Sequence, residues 1–292
     1  MITIKLSGGL GNQLFQYAYG YQMAKKLNTG IILDTSWFDR QRLRRPDILS
    51  FRIKHESARQ IWDTDSKIKF LNKTFINRSL RILGCSSFRA GEYNYFKETR
   101  YKYTYKIKTY AKDQSYLDGY WQCPKYFASV RKELIQMYCS DGLSPGVEEL
   151  GDYLKEINSI AVHVRRGDYP AKKQLISRLV AISDGYYKRA LEAVLPKAGC
   201  NPEIYVFSNN MPDARRMLDP MISGLVKETG IKTTAIDEWY LMKCCRNQII
   251  GNSTFSWWPA YLNDYDYKIV AAPNRYMGND DILDKDWIAV DV

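Results

Sequence analysis

Apolar runs and amphipathic stretches alternate along this chain and predict its elements. Ile2 to Leu6 reads as a strand. The polar loop SGGLGNQ follows, then an apolar-periodic helix from Gln13 to Leu27 and a second strand from Gly30 to Asp34, which together make a βαβ opening. From Thr35 to Lys112 the pattern is irregular, basic and aromatic, and predicts no regular element. Around SYLDGYWQCPKYF a strand leads, through Pro124 as an early helical residue, into a helix ending near Tyr138. The turn formers of CSDGLSPG then mark a linker.

Beyond the linker the alternation is cleaner. Strands are predicted at Ile160 to Val164, Ile204 to Phe207, near Thr233, at Gln248 to Ile250 and at Lys268 to Ala271. Helices are predicted at Asp184 to Leu195, at Pro212 to Leu218, after a cap at Asp237 and after an N-cap at Ser256. The Ser256 cap is chosen because it keeps Pro259 in the first turn, where a missing N–H does no harm. Repeated βα units argue for a parallel, doubly wound sheet. The length of 292 residues suits two α/β domains, expected at 1–150 and 151–292.

Three of these strands end in polar clusters: HVRRGDY after Ile160, FSNN after Ile204 and GNSTF after Gln248. Strand-to-helix alternation carries all three to one rim of the sheet, where open α/β sheets bind ligands. Arginines, a histidine, asparagines and hydroxyls gathered there suit a phosphorylated nucleotide. Consecutive residues of an extended chain face opposite ways, so only one of Arg165 and Arg166 faces the ligand together with His163. Arg165 has that parity, and its planar fork can hold a diphosphate and meet charge that develops on it. Arg166 and Asp168 are then expected to pair and fix the turn. Asn252, Ser253, Thr254 and Phe255 enter a helix whose N-terminal N–H groups suit phosphate oxygens. In SGGLGNQ, Gly9 and Gly11 allow close backbone approach to a ligand and leave Asn12 and Gln13 at the loop tip, where their amides suit sugar hydroxyls.

Charge widens the field of partners. The net charge of +11 concentrates at Arg40 to Arg52 and in the Tyr/Lys run Tyr93 to Tyr110. Polyphosphates, nucleic acid and anionic membrane surfaces are all attracted to such a surface. Aromatics interleaved with lysines keep a non-catalytic RNA- or polyanion-binding protein open as an alternative, although no RNA-binding signature accompanies the run. The glycine loop with Asp34 resembles a dinucleotide fingerprint and keeps an NAD-dependent oxidoreductase open, but its third glycine position is Leu14. Two histidines exclude a histidine-rich metal site, there is no GxSxG elbow, and no apolar run is long enough to span a bilayer. Met1 runs straight into a strand, and the six cysteines form neither CxxC pairs nor a dense scaffold, so a soluble protein with reduced thiols is expected.

Five segments, GGLGNQLFQYA, GYWQCPKYF, HVRRGDY, FSNN and NSTFSWWPAYL, together resemble the α-1,2-fucosyltransferases of glycosyltransferase family 11, in order and over nearly the whole chain. Pro259 and Cys123 depart from the family pattern. The resemblance implies a GT-B architecture of two Rossmann-like domains facing a cleft, with the acceptor on the N-terminal side and GDP-L-fucose on the C-terminal side. It implies inverting transfer to the 2-hydroxyl of a galactoside-terminated oligosaccharide or glycolipid, with no cofactor and no metal. It also implies that Arg165 meets the diphosphate, with Arg166 nearby in the donor set. By the same similarity His163, Ser208, Asn209 and Asn210 lie near guanine or ribose, and Ser253, Thr254 and Phe255 near the phosphates or fucose. Asn12 would orient fucose or acceptor. Asp168 is a candidate base, with Asp34 and Asp118 as further ones. A cytoplasmic enzyme is expected, with peripheral contact to an anionic membrane and no nucleic-acid partner.

Overall fold

The computed structural model describes residues 1–40, 43–59, 85–90, 93–98, 103, 112–165, 182–222, 225–276 and 279–292. Arg166 and Asp168 therefore lie outside the described residues. So does most of the basic Tyr/Lys run. The chain divides into two units, Met1–Cys139 and Ser140–Val292. The division falls inside CSDGLSPG, eleven residues before the expected boundary. A boundary at 150/151 would cut a helix, Val147–Glu156, whose Val147 and Leu154 are buried in the core of the second unit.

The first unit holds β1 (Ile2–Lys5), α1 (Leu10–Leu27), β2 (Ile31–Asp34), β3 (Ser57–Arg59), β4 (Cys85–Ala90), β5 (Tyr93–Glu98), β6 (Ser115–Asp118) and α2 (Arg131–Met137). Its sheet runs β3-β2-β1-β6-β5-β4, parallel except for β4, which forms a hairpin edge on β5. The strands β3, β4 and β5 occupy the stretch where no regular element is predicted. Their alternation is masked by polar and basic residues, as the edge strands β3 and β4 permit. α1 packs closely on β1 through Gly20, where an added Cβ would lie 2.2 Å from Ile4 Cδ1.

The second unit contains α3 (Val147–Glu156), β7 (Ser159–Val164), α4 (Asp184–Ala198), β8 (Glu203–Ser208), α5 (Met211–Leu218), β9 (Val226–Lys227), α6 (Ala235–Cys244), β10 (Asn247–Ile249), α7 (Thr254–Leu262), β11 (Val270–Pro273) and β12 (Ile288–Val290). Its sheet is wholly parallel in the order β12-β11-β10-β7-β8-β9. All six residues of β7 are buried, as a central parallel strand covered on both faces requires. One face packs Val162, Val164, Val206 and Ile249 against α4 and α5, and the other packs Ala161, Tyr205 and Phe207 against α3 and α6. The third strand is at Val226–Lys227 rather than near Thr233. α6 is capped by Thr234, with Asp237 completing the capping box three residues on.

Candidate active site

Strand order locates the crevices. In the second unit the order reverses between β7 and β10, and in open parallel sheets the ligand crevice opens beyond the carboxyl ends of the strands at that point. His163 is the fifth residue of β7, and Arg165 follows its end. Asn252 to Phe255 follow β10. The two ends touch: a Cβ added to Gly251 would lie 3.2 Å from the His163 carbonyl oxygen and 3.2 Å from Tyr187 Oη. The rings of His163 and Phe255 are 5.9 Å apart.

Three tyrosines fasten this rim. Tyr187 Oη donates to the His163 carbonyl at 3.1 Å, Tyr186 Oη donates to the Ile250 carbonyl at 2.6 Å, and Tyr276 Oη donates to the Ser253 carbonyl. These side-chain bonds tie the backbone of both strand ends to α4 and to the loop at Tyr276. Their only trace in the sequence is a Tyr-Tyr pair in an amphipathic helix and a tyrosine among turn residues.

His163 is 7% exposed, and burial followed by the nearby Arg165 charge lowers its pKa to about 3. It is therefore a neutral imidazole at physiological pH, and its buried Nδ1 has no hydrogen-bond partner among the described residues. A neutral ring suits a polar ligand group better than a phosphate. Arg165 is partly buried beside it and supplies the positive charge.

The N-cap of α7 is Ser253, not Ser256: Ser253 Oγ accepts from the Phe255 N–H at 3.3 Å. Thr254 and Phe255 are then the first two helical residues rather than loop, and Pro259 sits in the second turn. The helix continues on either side of the proline, since Trp257 N–H donates to Ser253 O and Asn263 N–H donates to Pro259 O. Complete burial of Trp257 and Trp258, with Trp257 stacked on Tyr261 at 4.6 Å, offsets the lost bond. The anion-binding end of the helix stays beside the crevice. At the end of β8, Ser208 Oγ accepts from Asn210 N–H, and Asn210 Oδ1 caps α5 through Asp213 N–H. Ser208 Oγ and Asn210 Oδ1 therefore hold the turn, while Asn209 is exposed.

The first sheet reverses between β1 and β6. Here the expected loop tip is helical: Gly9 is the N-cap of α1, and Gly11, Asn12 and Gln13 lie in its first turns. Gln13 is fully buried and its amide is spent, donating to the carbonyls of Gly8 at 3.1 Å and Arg45 at 2.8 Å and accepting from Ile48 N–H at 3.1 Å. It positions the returning chain. Asn12 is partly exposed and accepts from Gln122 Nε2 at 2.9 Å, joining the two strand ends at the crevice. Asp34 is buried, accepting from Ser36 N–H and Tyr116 Oη, so it is not placed to read a ribose as the dinucleotide fingerprint requires. Asp118 accepts from Lys5 at 3.2 Å and from Tyr95 Oη. Among the described residues no three His, Cys, Asp or Glu side chains gather as a metal-ligand set.

Two largely parallel sheets of this strand order, each with polar groups at its switch point, define a protein of the α/β class. The sequence model of glycosyl transferase family 11 matches residues 1–291, and the chain belongs to that family. It is similar to an Escherichia coli alpha-1,2-colitosyltransferase, with 26% identity over 100% of this chain and 99% of the relative. It is also similar to the Escherichia coli O-antigen biosynthesis glycosyltransferase WbnK, with 29% identity over 93% of each. A Mus musculus galactoside alpha-(1,2)-fucosyltransferase 2 is 30% identical over 35% of this chain and 30% of its own. Among solved structures, an Arabidopsis thaliana FUT1 mutant in complex with GDP shares the fold, with a TM-score of 0.53 and 12% identity over 92% of this chain and 69% of that one. Among the described residues no helix is long and apolar enough to cross a membrane.

Proposed function

We propose that this glycosyltransferase moves L-fucose from GDP-L-fucose to the 2-hydroxyl of a galactoside-terminated oligosaccharide or glycolipid, with inversion and without a metal or cofactor. The observation that carries the reading is the second switch point, where a neutral His163, the Arg165 guanidinium and the N-terminus of α7 converge in a family 11 chain. The acceptor oxygen attacks C1 of fucose as the bond from C1 to the β-phosphate oxygen breaks, through a transition state with oxocarbenium character. Negative charge grows on the departing diphosphate, and Arg165 with the positive N-terminal end of the α7 dipole meets it. His163 and Asn209 bind the nucleoside, while Asn12 orients fucose or acceptor.

Colitose is a second reading for the donor sugar, favoured by the full-length match to a colitosyltransferase. The test is incubation with GDP-fucose or GDP-colitose and a panel of galactosides, with products read by mass spectrometry and their linkage assigned. An α-1,2-fucosylated galactoside supports the proposal. Product from GDP-colitose alone selects the second reading, and no transfer from either donor overturns both.

A further inference from the structure

We propose that Glu98, at the end of β5, is the general base that takes the acceptor hydroxyl's proton, an assignment that rests on the glycosyl transfer proposed above. β5 runs parallel to β6, with Lys97 opposite Asp118, so Glu98 comes to the carboxyl rim beside Gly119 and next to the β1–β6 switch point. The approach is close: a Cβ on Gly119 would lie 2.5 Å from Glu98 Cβ, a space only glycine leaves open. The chain then turns, with Trp121 at φ +54, a left-handed conformation that a bulky side chain rarely adopts and that concentrates at functional sites. This turn sets two consecutive N–H groups, those of Tyr120 and Trp121, on one Glu98 oxygen, Oε2, at 2.6 and 3.0 Å.

One carboxylate oxygen is thereby pinned, and the other, Oε1, has no hydrogen-bond partner among the described residues. The same rim carries Gln122, one residue beyond Trp121, bonded to Asn12. A fixed carboxylate with one open oxygen beside two amides is the arrangement needed to orient a sugar hydroxyl and remove its proton. Of the neighbouring acids, both Asp34 oxygens accept hydrogen bonds, and Asp118 Oδ2 is bonded to the Lys5 ammonium and the Tyr95 hydroxyl, so its charge already has a cationic partner.

The step balances. The acceptor O–H proton passes to Glu98 Oε1 as the acceptor oxygen bonds to the donor's C1, and the electron pair of the broken C1–O bond leaves with GDP. Burial, opposed by the two N–H groups and reinforced by the Asp118 charge, raises the carboxyl to about 7, a basicity matched to a hydroxyl proton near neutral pH. The charged group acting on Glu98 among the described residues is Asp118 on β6, which is itself bonded to Lys5 on β1 and Tyr95 on β5.

The test compares wild type with Glu98→Gln, whose amide oxygen can still accept from both N–H groups. Expected are a fall of about 10²-fold or more in kcat and disappearance of the wild-type acid limb near pH 7, with GDP affinity unchanged by calorimetry. A variant with undiminished kcat and the same acid limb, measured beside an active wild type, overturns Glu98 alone. A wild type that transfers no sugar to any galactoside overturns the transfer reading and the base with it. If the variant does not fold, the wild-type profile decides: a kcat/KM that does not change between about pH 5.5 and about pH 8 overturns the assignment.

Discussion

Replacing Glu98 by glutamine removes a carboxylate whose ionisation opposes folding, and the size of the effect follows from its surroundings. Burial is the largest cause of a pKa raised from 4.5 to about 7, with the Tyr120 and Trp121 N–H groups opposing it and Asp118 adding to it. A carboxyl with a folded pKa above its unfolded value binds more protons folded than unfolded between the two. Its favourable contribution is therefore complete below 4.5 and is lost as the pH rises through 7. The shift amounts to about 3 kcal/mol. Partial solvent exposure screens some of this, leaving roughly 1–2 kcal/mol between about pH 5.5 and about pH 8. Glutamine does not titrate, so the stability of the variant relative to wild type should rise by that amount over this range. Urea unfolding followed by circular dichroism at both pH values measures it, with equal slopes confirming that the exposed surface is unchanged. A relative stability that is constant over the range, or that falls, would refute the buried high-pKa carboxylate.

Arg165→Lys keeps the charge but loses the planar fork, so kcat should fall about 10²-fold with the melting temperature unchanged; initial rates and a thermal melt check it. Gly251→Ala places a methyl 3.2 Å from the His163 carbonyl, which Tyr187 holds in place, so calorimetry should show GDP binding weakened about tenfold. Gly20→Ala brings a methyl against Ile4 and should cost about 1–3 kcal/mol in urea unfolding without changing the KM for the donor. Transfer should persist in excess EDTA; its loss on chelation and return with manganese or magnesium would reverse the metal-free proposal.

The second sheet was legible because β7 and β8 carry the apolar runs Ile160 to Val162 and Ile204 to Phe207, bounded by polar turns, and the order of βα units leaves few topologies. The same pattern brought His163, Arg165 and Asn252 to Phe255 to one rim. What failed to show depends on distant partners. The fate of Gln13 is set by backbone groups of Arg45 and Ile48, which local periodicity does not reveal. The cap of α7 was misplaced because a proline's local cost outweighed, in the sequence, a burial of two tryptophans visible only in the fold. Glu98 lies on a strand whose polar sequence resembles a loop, and its environment comes from Gly119 to Trp121, more than twenty residues later.

In the proposed function the β7–β10 switch point holds the nucleotide and the β1–β6 rim serves the sugar side. Calorimetric titration of GDP into wild type, His163→Ala and Asn12→Ala tests it most directly. Expected are binding weakened by about tenfold or more in His163→Ala, through loss of a buried polar contact, and near-wild-type binding in a folded Asn12→Ala whose transfer rate is greatly reduced. A large loss of GDP affinity in Asn12→Ala, with His163→Ala unaffected, would contradict it and move the nucleotide to the glycine-rich start of α1.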